Sequence, residues 1–210
     1  MASEFILYSY ARSSASYRVR IAMNLKGIAY EYRTATEHSS LDYRKLNPMA
    51  QVPCLVHEGR PLAQSMAIVE YLDSLVAEPR LFPAAAYDRA LVVQLCEIIN
   101  SGIQPLQSMP VTDELEKTHT FSVEETSAWI RKWNERGFRA LEELLQKTAG
   151  EYAFGDHVSA ADCFLVPQVF LGKRYDVDLS RYPTIERVCG VLDQLEAFEL
   201  AHPSRQPDAE

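Results

Sequence analysis

The sequence has no excess of basic residues and no long apolar run, and each absence excludes a class of protein. Aspartate and glutamate total 29 against 21 lysine and arginine residues, which gives a formal net charge of −8. A nucleic-acid-binding protein needs a basic face that displaces counterions from phosphates. No N-terminal segment has the length of a signal peptide, and no run approaches the roughly 20 apolar residues of a membrane span. We therefore expect a cytoplasmic protein that binds neither nucleic acid nor membrane.

Cysteine and histidine are few and scattered along the chain. The four cysteines are Cys54, Cys96, Cys163 and Cys189, and the five histidines are equally dispersed. Structural zinc sites need cysteine and histidine at short spacings, and redox pairs need a CxxC motif. Neither pattern occurs, so we predict four reduced cysteines in the core and no metal site.

The chain is rich enough in apolar residues to form a full core. It has 210 residues, of which 47% are hydrophobic, which suits one or two domains. In the first 83 residues we predict a strand at 5–8, a helix to 26–27, a strand at 30–33, a helical patch within 37–46, strands at 54–57 and 61–63 around a turn, and a helix at 65–76. This order, βαβαββα, indicates a small mixed sheet with helices on its faces.

Residues 79–83 contain two prolines and have little periodicity, which is typical of a linker. Every later segment has a helical pattern, so the sequence predicts one domain at 1–83 and an all-helical domain at 84–210. The first of the later helices begins near Asp88 and is interrupted near Pro105 and Pro110. The residues after His202 and Pro203 are expected to form an extended tail.

Two later helices have recognisable starts. Ser122 with Glu125, and Ser159 with Asp162, place a hydroxyl and an acid three residues apart, which is the capping-box pattern. The helix that begins at Ser122 continues to about residue 150. Because loss of a cap typically costs about 1 kcal/mol, we assign Asp162 a structural role and no catalytic one.

The segment at 12–20, Arg-Ser-Ser-Ala-Ser-Tyr-Arg-Val-Arg, places hydroxyls and arginines where a strand gives way to a helix. Unpaired N–H groups and the positive end of the helix dipole stabilise a thiolate, carboxylate or phosphate at such a junction. The alternative is that Ser13, Ser14 or Ser16 only caps the helix. Arg18 and Arg20 lie within the helix, so salt bridging or snorkelling is expected of them.

Several separated motifs together resemble one family. They are the segment at 12–20, Asn47-Pro48-Met49, Val52-Pro53, Gln64-Ser65, Gly102-Ile103-Gln104-Pro105 and Leu165-Val166-Pro167-Gln168-Val169. The combination resembles the zeta class of the glutathione transferases, and the similarity extends from Ile6 to Asp208. It implies a thioredoxin-like N-terminal domain followed by an all-helical C-terminal domain, and a homodimer.

The resemblance implies glutathione as the cofactor. Val52-Pro53 is then a cis-proline turn whose valine backbone pairs with the cysteinyl part of glutathione. Gln64 and Ser65 bind the γ-glutamyl end, and His38 takes a position near the glycyl end. The full set of implied glutathione-binding residues is Ser13, Ser14, Ala15, Ser16, His38, Val52, Pro53, Gln64, Ser65, Gln104 and Ser108, with Gln104 able to reach across from a partner subunit.

The same resemblance implies the chemistry. The class isomerises a maleyl diketoacid, and the expected reaction is maleylacetoacetate to fumarylacetoacetate in tyrosine and phenylalanine breakdown. Ser13 donates a hydrogen bond to the glutathione sulfur, Ser14 supports it, and addition of the thiolate to the cis double bond permits rotation. Arg12 and Arg174 bind the substrate carboxylates, because a guanidinium offers paired donors.

The chain departs from the family pattern at two positions. Many zeta-class members have cysteine at the position of Ala15 and tryptophan at that of Tyr17, so no protein thiol can act at residue 15 here. Two enzymatic alternatives stay open: a maleylpyruvate isomerase, and a general glutathione transferase acting on electrophiles such as α-haloacids. The non-enzymatic alternative is a glutathione-binding or ligand-binding protein that has lost its chemistry.

Overall fold

The contacts divide the chain into two units. The computed structural model describes residues 4–34 and 41–209. The first unit spans 1–82 together with 193–210, and the second spans 83–192. The predicted helical domain at 84–210 is therefore too long at its C-terminal end. Its last residues pack with the first unit, where the guanidinium of Arg20 donates to the carbonyl of Ala201 at 2.9 Å.

The element order agrees with the prediction for the N-terminal region. In chain order the elements are β1 (Phe5–Ser9), α1 (Ser14–Leu25), β2 (Glu31–Thr34), α2 (Leu41–Leu46), β3 (Cys54–His57), β4 (Arg60–Ala63), α3 (Ser65–Leu75), α4 (Ala86–Asn100), α5 (Met109–Lys117), α6 (Val123–Thr148), α7 (Ala160–Arg174), α8 (Pro183–Leu192) and α9 (Glu196–Ala201). Short 3₁₀ segments lie at Gln104–Gln107, Leu179–Arg181 and Pro203–Arg205.

The sheet of the first unit is mixed, as predicted. Its strand order is β2-β1-β3-β4. β1 is parallel to β2 and antiparallel to β3, and β3 is antiparallel to β4. Glu58 and Gly59 connect β3 to β4 with φ of 50° and 74°. Two successive positive φ angles match the twist of a two-residue hairpin, which explains the tight turn.

Helix α1 is buried over a continuous stretch. Its residues from Ser16 to Met23 are all buried, including the apolar Val19 and Ile21. The helix contacts α3 on one side and α9 on another, so it has no fully solvated face. The sheet contributes Leu7 and Leu55, which are fully buried, to the same unit.

The second unit is helical, and both predicted capping boxes are present. Ser122 caps α6 with Glu125, and Ser159 caps α7 with Asp162. After α4 the chain turns through a 3₁₀ segment, and α5 then begins with Pro110 in its first turn. Proline is tolerated there because the first N–H groups of a helix have no intrahelical acceptor.

The C-terminal residues are folded, so the expectation of an extended tail is wrong. Pro203–Arg205 forms a 3₁₀ turn, and Gln206 after it is buried. The Gln206 amide donates to the carbonyls of Leu200 and His202, at 2.9 Å each. These bonds satisfy carbonyls that α9 leaves without intrahelical partners, and they hold the tail against its own helix.

All four cysteines are buried and none of them is in a disulfide, as predicted. Burial raises the pKa of the Cys54 thiol to about 11, although a backbone hydrogen bond from Leu62 acts in the opposite direction. Cys54 is therefore a neutral thiol at physiological pH and a poor nucleophile. Among the described residues, no helix is both long and apolar enough to cross a membrane.

Candidate active site

Three of the predicted motifs meet at one edge of the sheet. β1 and β4 run in the same direction, because each is antiparallel to β3. The helices that follow them, α1 and α3, therefore begin at the same edge. β3 runs the opposite way, so the residues that precede it also lie there. These positions are held by Ser13, by Val52-Pro53 and by Gln64-Ser65.

Ser13 is the N-cap of α1. Its backbone is extended, with φ −73° and ψ 116°, and its Oγ accepts a hydrogen bond from the Ser16 N–H at 3.2 Å. The capping interpretation is therefore confirmed. It is compatible with chemistry, because a hydroxyl that accepts one hydrogen bond still has a proton to donate. Ser13 is half-buried, so its hydroxyl is partly accessible.

The other predicted residues of this segment differ in exposure. Arg12 is exposed, and Ser14 and Ala15 are the half-buried first residues of α1. Ser16 is buried, and its Oγ has no hydrogen-bond partner among the described residues. Ser14 and Ala15 occupy positions whose backbone N–H groups lack an intrahelical acceptor, so both are available to an anion. Their predicted roles stay predictions.

Ser65, the first residue of α3, is held by a buried arginine that the sequence did not single out for the site. Arg18 Nη1 donates to Ser65 Oγ at 3.1 Å, and Arg18 is only 1% exposed. Salt bridging or snorkelling was predicted for Arg18 and Arg20, and the snorkelling alternative is wrong because both side chains are buried. Arg18 adds a positive charge to a helix N-terminus that already favours an anion. Because burial is continuous along α1, no periodic signal marked it.

Gln64 has a strained backbone. Its φ is 75°, in a region that side chains other than glycine rarely adopt. Although Gln64 is the N-cap of α3, its side chain makes no capping hydrogen bond and is exposed. The amide is therefore available to a ligand. Such strain costs about 1–3 kcal/mol and is concentrated at functional sites.

The Val52-Pro53 peptide bond is cis, as predicted. Pro53 is buried and Val52 is half-buried, directly before β3. His38, by contrast, lies outside the described residues, so its predicted position near the glycyl end of glutathione stays a prediction. Glu78-Pro79 is also cis, which the sequence did not indicate.

The predicted residues of the helical unit lie on two of its elements. Gln104 begins the 3₁₀ segment and is half-buried, and Ser108 follows that segment with its Oγ donating to the Pro105 carbonyl at 2.7 Å. Arg174 is the last residue of α7 and is exposed. The carbonyl of the next residue, Tyr175, accepts from Arg131 Nε at 2.9 Å, which fixes the end of α7.

A closed ring of buried amides links these two elements to α6. Gln107 Nε2 donates to Gln168 Oε1 at 3.1 Å, Gln168 Nε2 to Asn134 Oδ1 at 2.7 Å, and Asn134 Nδ2 to Gln107 Oε1 at 2.6 Å. Each amide donates once and accepts once within the ring, so three buried polar groups satisfy one another. The ring fixes the segment between Gln104 and Ser108. Sequence reasoning missed it, because its members are far apart in the chain.

Two further features contain none of the predicted site residues. Glu4, His57 and Glu58 place potential metal ligands within 4.8 Å of one another. His57 is already satisfied, by the Tyr71 hydroxyl at 2.6 Å and by Glu4 at 3.2 Å. A groove of about 410 Å³ between α4 and α6 is lined by residues that include Trp133 and is mostly apolar. No role is assigned to either feature.

Comparison with known proteins identifies the family. Residues 3–74 match the family model of the glutathione S-transferase N-terminal domain, and residues 128–189 match that of the C-terminal domain. The maleylacetoacetate isomerase of Rattus norvegicus is 46% identical over 209 residues, which cover 97% of this chain and 94% of that protein.

Solved structures give the class. The holo structure of a maleyl pyruvate isomerase, described as a bacterial glutathione S-transferase of the zeta class, has a TM-score of 0.95 and 39% identity, and the match covers 98% of this chain and 100% of that one. The chain belongs to the zeta class of the glutathione S-transferase family. The family and fold class predicted from the sequence are confirmed, and this zeta-class chain is an enzyme of that class.

A relative's structure contains the expected cofactor. The maleylacetoacetate isomerase of Anaeromyxobacter dehalogenans 2CP-1, with glutathione bound in its active site, has a TM-score of 0.89 and 40% identity, covering 100% of this chain and 99% of that one. The sheet edge of the zeta-class chain fits such a ligand. Glutathione carries a thiol and two carboxylates, and the edge offers two helix N-termini and the buried Arg18.

The strain at Gln64 leads to a testable trade-off in the zeta-class chain. We expect Gln64→Gly to raise the free energy of unfolding by about 1 kcal/mol, because glycine adopts a positive φ without strain. The same change should raise the KM for glutathione at least tenfold, since one hydrogen bond to a charged group is worth about 1.5–3 kcal/mol. Urea unfolding and steady-state kinetics measure the two effects.

Glu58→Gly is the matched control. Glu58 also has a positive φ, of 50°, but lies in the β3–β4 turn, away from the three motifs. It should gain stability without a change in KM. An unchanged KM in Gln64→Gly would contradict the role of this side chain in binding.

Proposed function

We propose that this protein is a glutathione-dependent cis–trans isomerase that converts maleylacetoacetate to fumarylacetoacetate in tyrosine and phenylalanine breakdown. The observation that carries the proposal is the sheet edge at which Ser13, Val52-Pro53 and Gln64-Ser65 meet. Relatives named maleylacetoacetate isomerase that align over nearly the whole chain support the substrate class. Glutathione is the cofactor.

In the proposed complex, glutathione lies along the edge of the sheet at which the three motifs meet. Its γ-glutamyl carboxylate lies at the N-terminus of α3, where the hydroxyl and N–H of Ser65 donate to it. Arg18, which donates to the Ser65 hydroxyl, adds a positive charge at this helix N-terminus. The amide of Gln64 binds the same end of the molecule. The Val52 backbone forms main-chain hydrogen bonds with the cysteinyl residue, in the way that an added strand pairs with an existing one. The family resemblance adds Gln104 and Ser108, two residues of the helical unit, to the proposed binding set.

Ser13 stabilises the thiolate. A free thiol has a pKa near 8.5, so only a few per cent is ionised at pH 7. Raising the ratio of thiolate to thiol by a factor of one hundred requires about 2.7 kcal/mol of preferential stabilisation. One hydrogen bond to a charged group contributes about 1.5–3 kcal/mol, and a helix N-terminus adds about 0.3–1 kcal/mol. Ser13, the N-terminus of α1 and the N–H groups of Ser14 and Ala15 together suffice.

The bound cofactor supplies a sulfur nucleophile that adds to the cis double bond and leaves after rotation, so it is not consumed. Because residue 15 is alanine and Cys54 is a buried neutral thiol, the chain provides no competing thiolate at this edge. The family resemblance assigns the two carboxylates of the substrate to Arg12 and Arg174, which are both exposed. Ser13, Ser14 and Arg12 form the proposed catalytic set.

Maleylpyruvate is the second candidate substrate. The bacterial maleyl pyruvate isomerase superposes with a TM-score of 0.95, above the 0.89 of the maleylacetoacetate isomerase with bound glutathione. Both substrates present a cis double bond between carbonyl groups and carry two carboxylates. We also propose that the protein is a cytoplasmic homodimer, as the family resemblance implies.

The test is turnover with limiting cofactor. We would incubate the protein with maleylacetoacetate or maleylpyruvate and with glutathione at about one hundredth of the substrate concentration. The fumaryl product and the remaining free thiol are both followed. We expect many product molecules per glutathione, with the thiol conserved and maleylacetoacetate preferred. Loss of one glutathione thiol for each substrate molecule consumed would contradict the proposal and indicate a transferase. Glutathione binding without turnover on either substrate would replace it by a binding protein.

A further inference from the structure

The backbone turn that presents Ser13 is held from the other end of the chain. β1 ends at Ser9, and the chain reaches Ser13 through a turn in which the Ser13 N–H donates to the Tyr10 carbonyl at 3.0 Å. This bond closes the turn but leaves its other peptide groups to find partners. The conformation of Ala11 and Arg12 sets where the Ser13 side chain starts.

Two charged side chains bind those peptide groups. Arg20, from α1, donates through Nη2 to the Ala11 carbonyl at 3.0 Å and through Nη1 to the Tyr10 carbonyl at 3.3 Å. Asp208, near the C-terminus, accepts the Ala11 N–H on Oδ2 at 3.1 Å. Both side chains therefore form hydrogen bonds with peptide groups of the same short turn, and Arg20 is fully buried.

Asp208 is itself fixed by a second partner. Tyr32, on β2, donates its hydroxyl to Asp208 Oδ1 at 2.6 Å. Burial raises the pKa of Tyr32, and the bond to Asp208 raises it further, so the phenol is protonated at neutral pH and donates. The carboxylate thus joins β2 to the turn after β1, and each of its oxygens has a donor.

We propose that Asp208 is a positioning residue for Ser13: by binding the Ala11 N–H, it holds the turn in the position from which the Ser13 hydroxyl reaches the glutathione sulfur. The inference rests on the proposed function of Ser13. A hydrogen bond weakens steeply with distance and angle, and Ser13 has only one rotatable bond with which to compensate for a moved backbone. A shift of about 1 Å in the turn therefore removes the donor from the thiolate.

Positioning and simple electrostatics predict opposite results when Asp208 is removed. A negative charge near the site disfavours a thiolate, so deleting it would by itself increase the ionised fraction of bound glutathione. Loss of positioning would decrease it. Tyr32→Phe isolates positioning, because it frees one carboxylate oxygen without changing any charge at neutral pH.

The experiment measures the thiolate of bound glutathione by its ultraviolet absorbance as a function of pH, together with kcat and KM. In Asp208→Ala we expect the ratio of thiolate to thiol at fixed pH to fall about tenfold, and in Tyr32→Phe about threefold. kcat should fall in parallel, whereas the KM for glutathione should stay within about twofold, because Gln64 and Ser65 are untouched. Asp178→Ala is the control: Asp178 accepts the Ser180 N–H at 3.1 Å in the helical unit.

An unchanged or increased thiolate ratio in Asp208→Ala would overturn the inference. If that variant fails to fold, Tyr32→Phe decides, and an unchanged ratio there overturns it. Wild-type protein that binds glutathione only as the thiol would overturn the proposed function, and this inference with it. A lowered ratio in both variants, with a normal ratio in Asp178→Ala, supports positioning.

Discussion

Ser13→Ala is expected to lower kcat/KM for isomerisation about a hundredfold and to return the thiol of bound glutathione towards its solution pKa. The variant loses the single hydroxyl that donates to the sulfur, and a hydrogen bond to a charged group is worth about 1.5–3 kcal/mol. The variant also loses the N-cap of α1, the bond from the Ser16 N–H to Ser13 Oγ, at a cost of about 1 kcal/mol in stability.

Ser122→Ala separates the two effects. Ser122 Oγ accepts the Glu125 N–H at 3.2 Å at the start of α6, the same capping bond at the same length. It should lose stability without losing activity. Ser13→Thr, which keeps the hydroxyl and the cap, should retain most turnover. Full activity in Ser13→Ala would contradict the assignment, and loss of activity in Ser14→Ala alone would move the role to Ser14.

Asp162→Ala is expected to destabilise the protein by about 3–5 kcal/mol. The Asp162 carboxylate is fully buried and accepts the N–H groups of Ala153 and Ser159, at 2.9 and 2.8 Å, and the Ser159 hydroxyl at 3.0 Å. Each buried donor left without a partner costs about 1–3 kcal/mol. Burial raises the pKa of Asp162 to about 6 against the effect of these bonds, so the carboxylate is still ionised at neutral pH. Urea unfolding measures the loss.

The exposed capping box of α6 is the matched control. Glu125 accepts the Ser122 N–H at 2.8 Å, as Asp162 accepts that of Ser159, but Glu125 is exposed. Glu125→Ala should cost much less, because water replaces the lost acceptor. Equal effects of the two substitutions would mean that burial does not strengthen the cap. Refolded Asp162→Ala should catalyse the isomerisation at the wild-type rate at low temperature, since the role of Asp162 is structural.

Much of the fold was predictable because its signals are local. The hydroxyl and acid three residues apart at Ser122 and Ser159 mark helix starts, and both helices begin there. The short apolar runs and the turn at Glu58 and Gly59 predicted the strands of the sheet. Such signals depend on neighbours within a few residues, so no knowledge of the chain path was needed.

The candidate site was predictable only in part. Ser13 and Gln64-Ser65 were found as motifs, and their common sheet edge follows from the strand directions. Arg18 was missed, because an arginine in a helix is usually assigned to the surface, whereas α1 is buried between α3 and α9. The amide ring of the helical unit was missed because neutral glutamines and asparagines carry no pattern.

The sequence by itself determined the family, the order of the elements, the caps and the serine at the start of α1, since each depends on adjacent residues or on motifs that remain recognisable along the chain. Only the tertiary structure decided that residues 193–210 pack with the first unit and that Asp208 binds the Ala11 N–H. Those contacts join residues almost a chain length apart. Because the burial and hydrogen bonding of these C-terminal residues depend on the path of the whole chain, no local pattern encodes them.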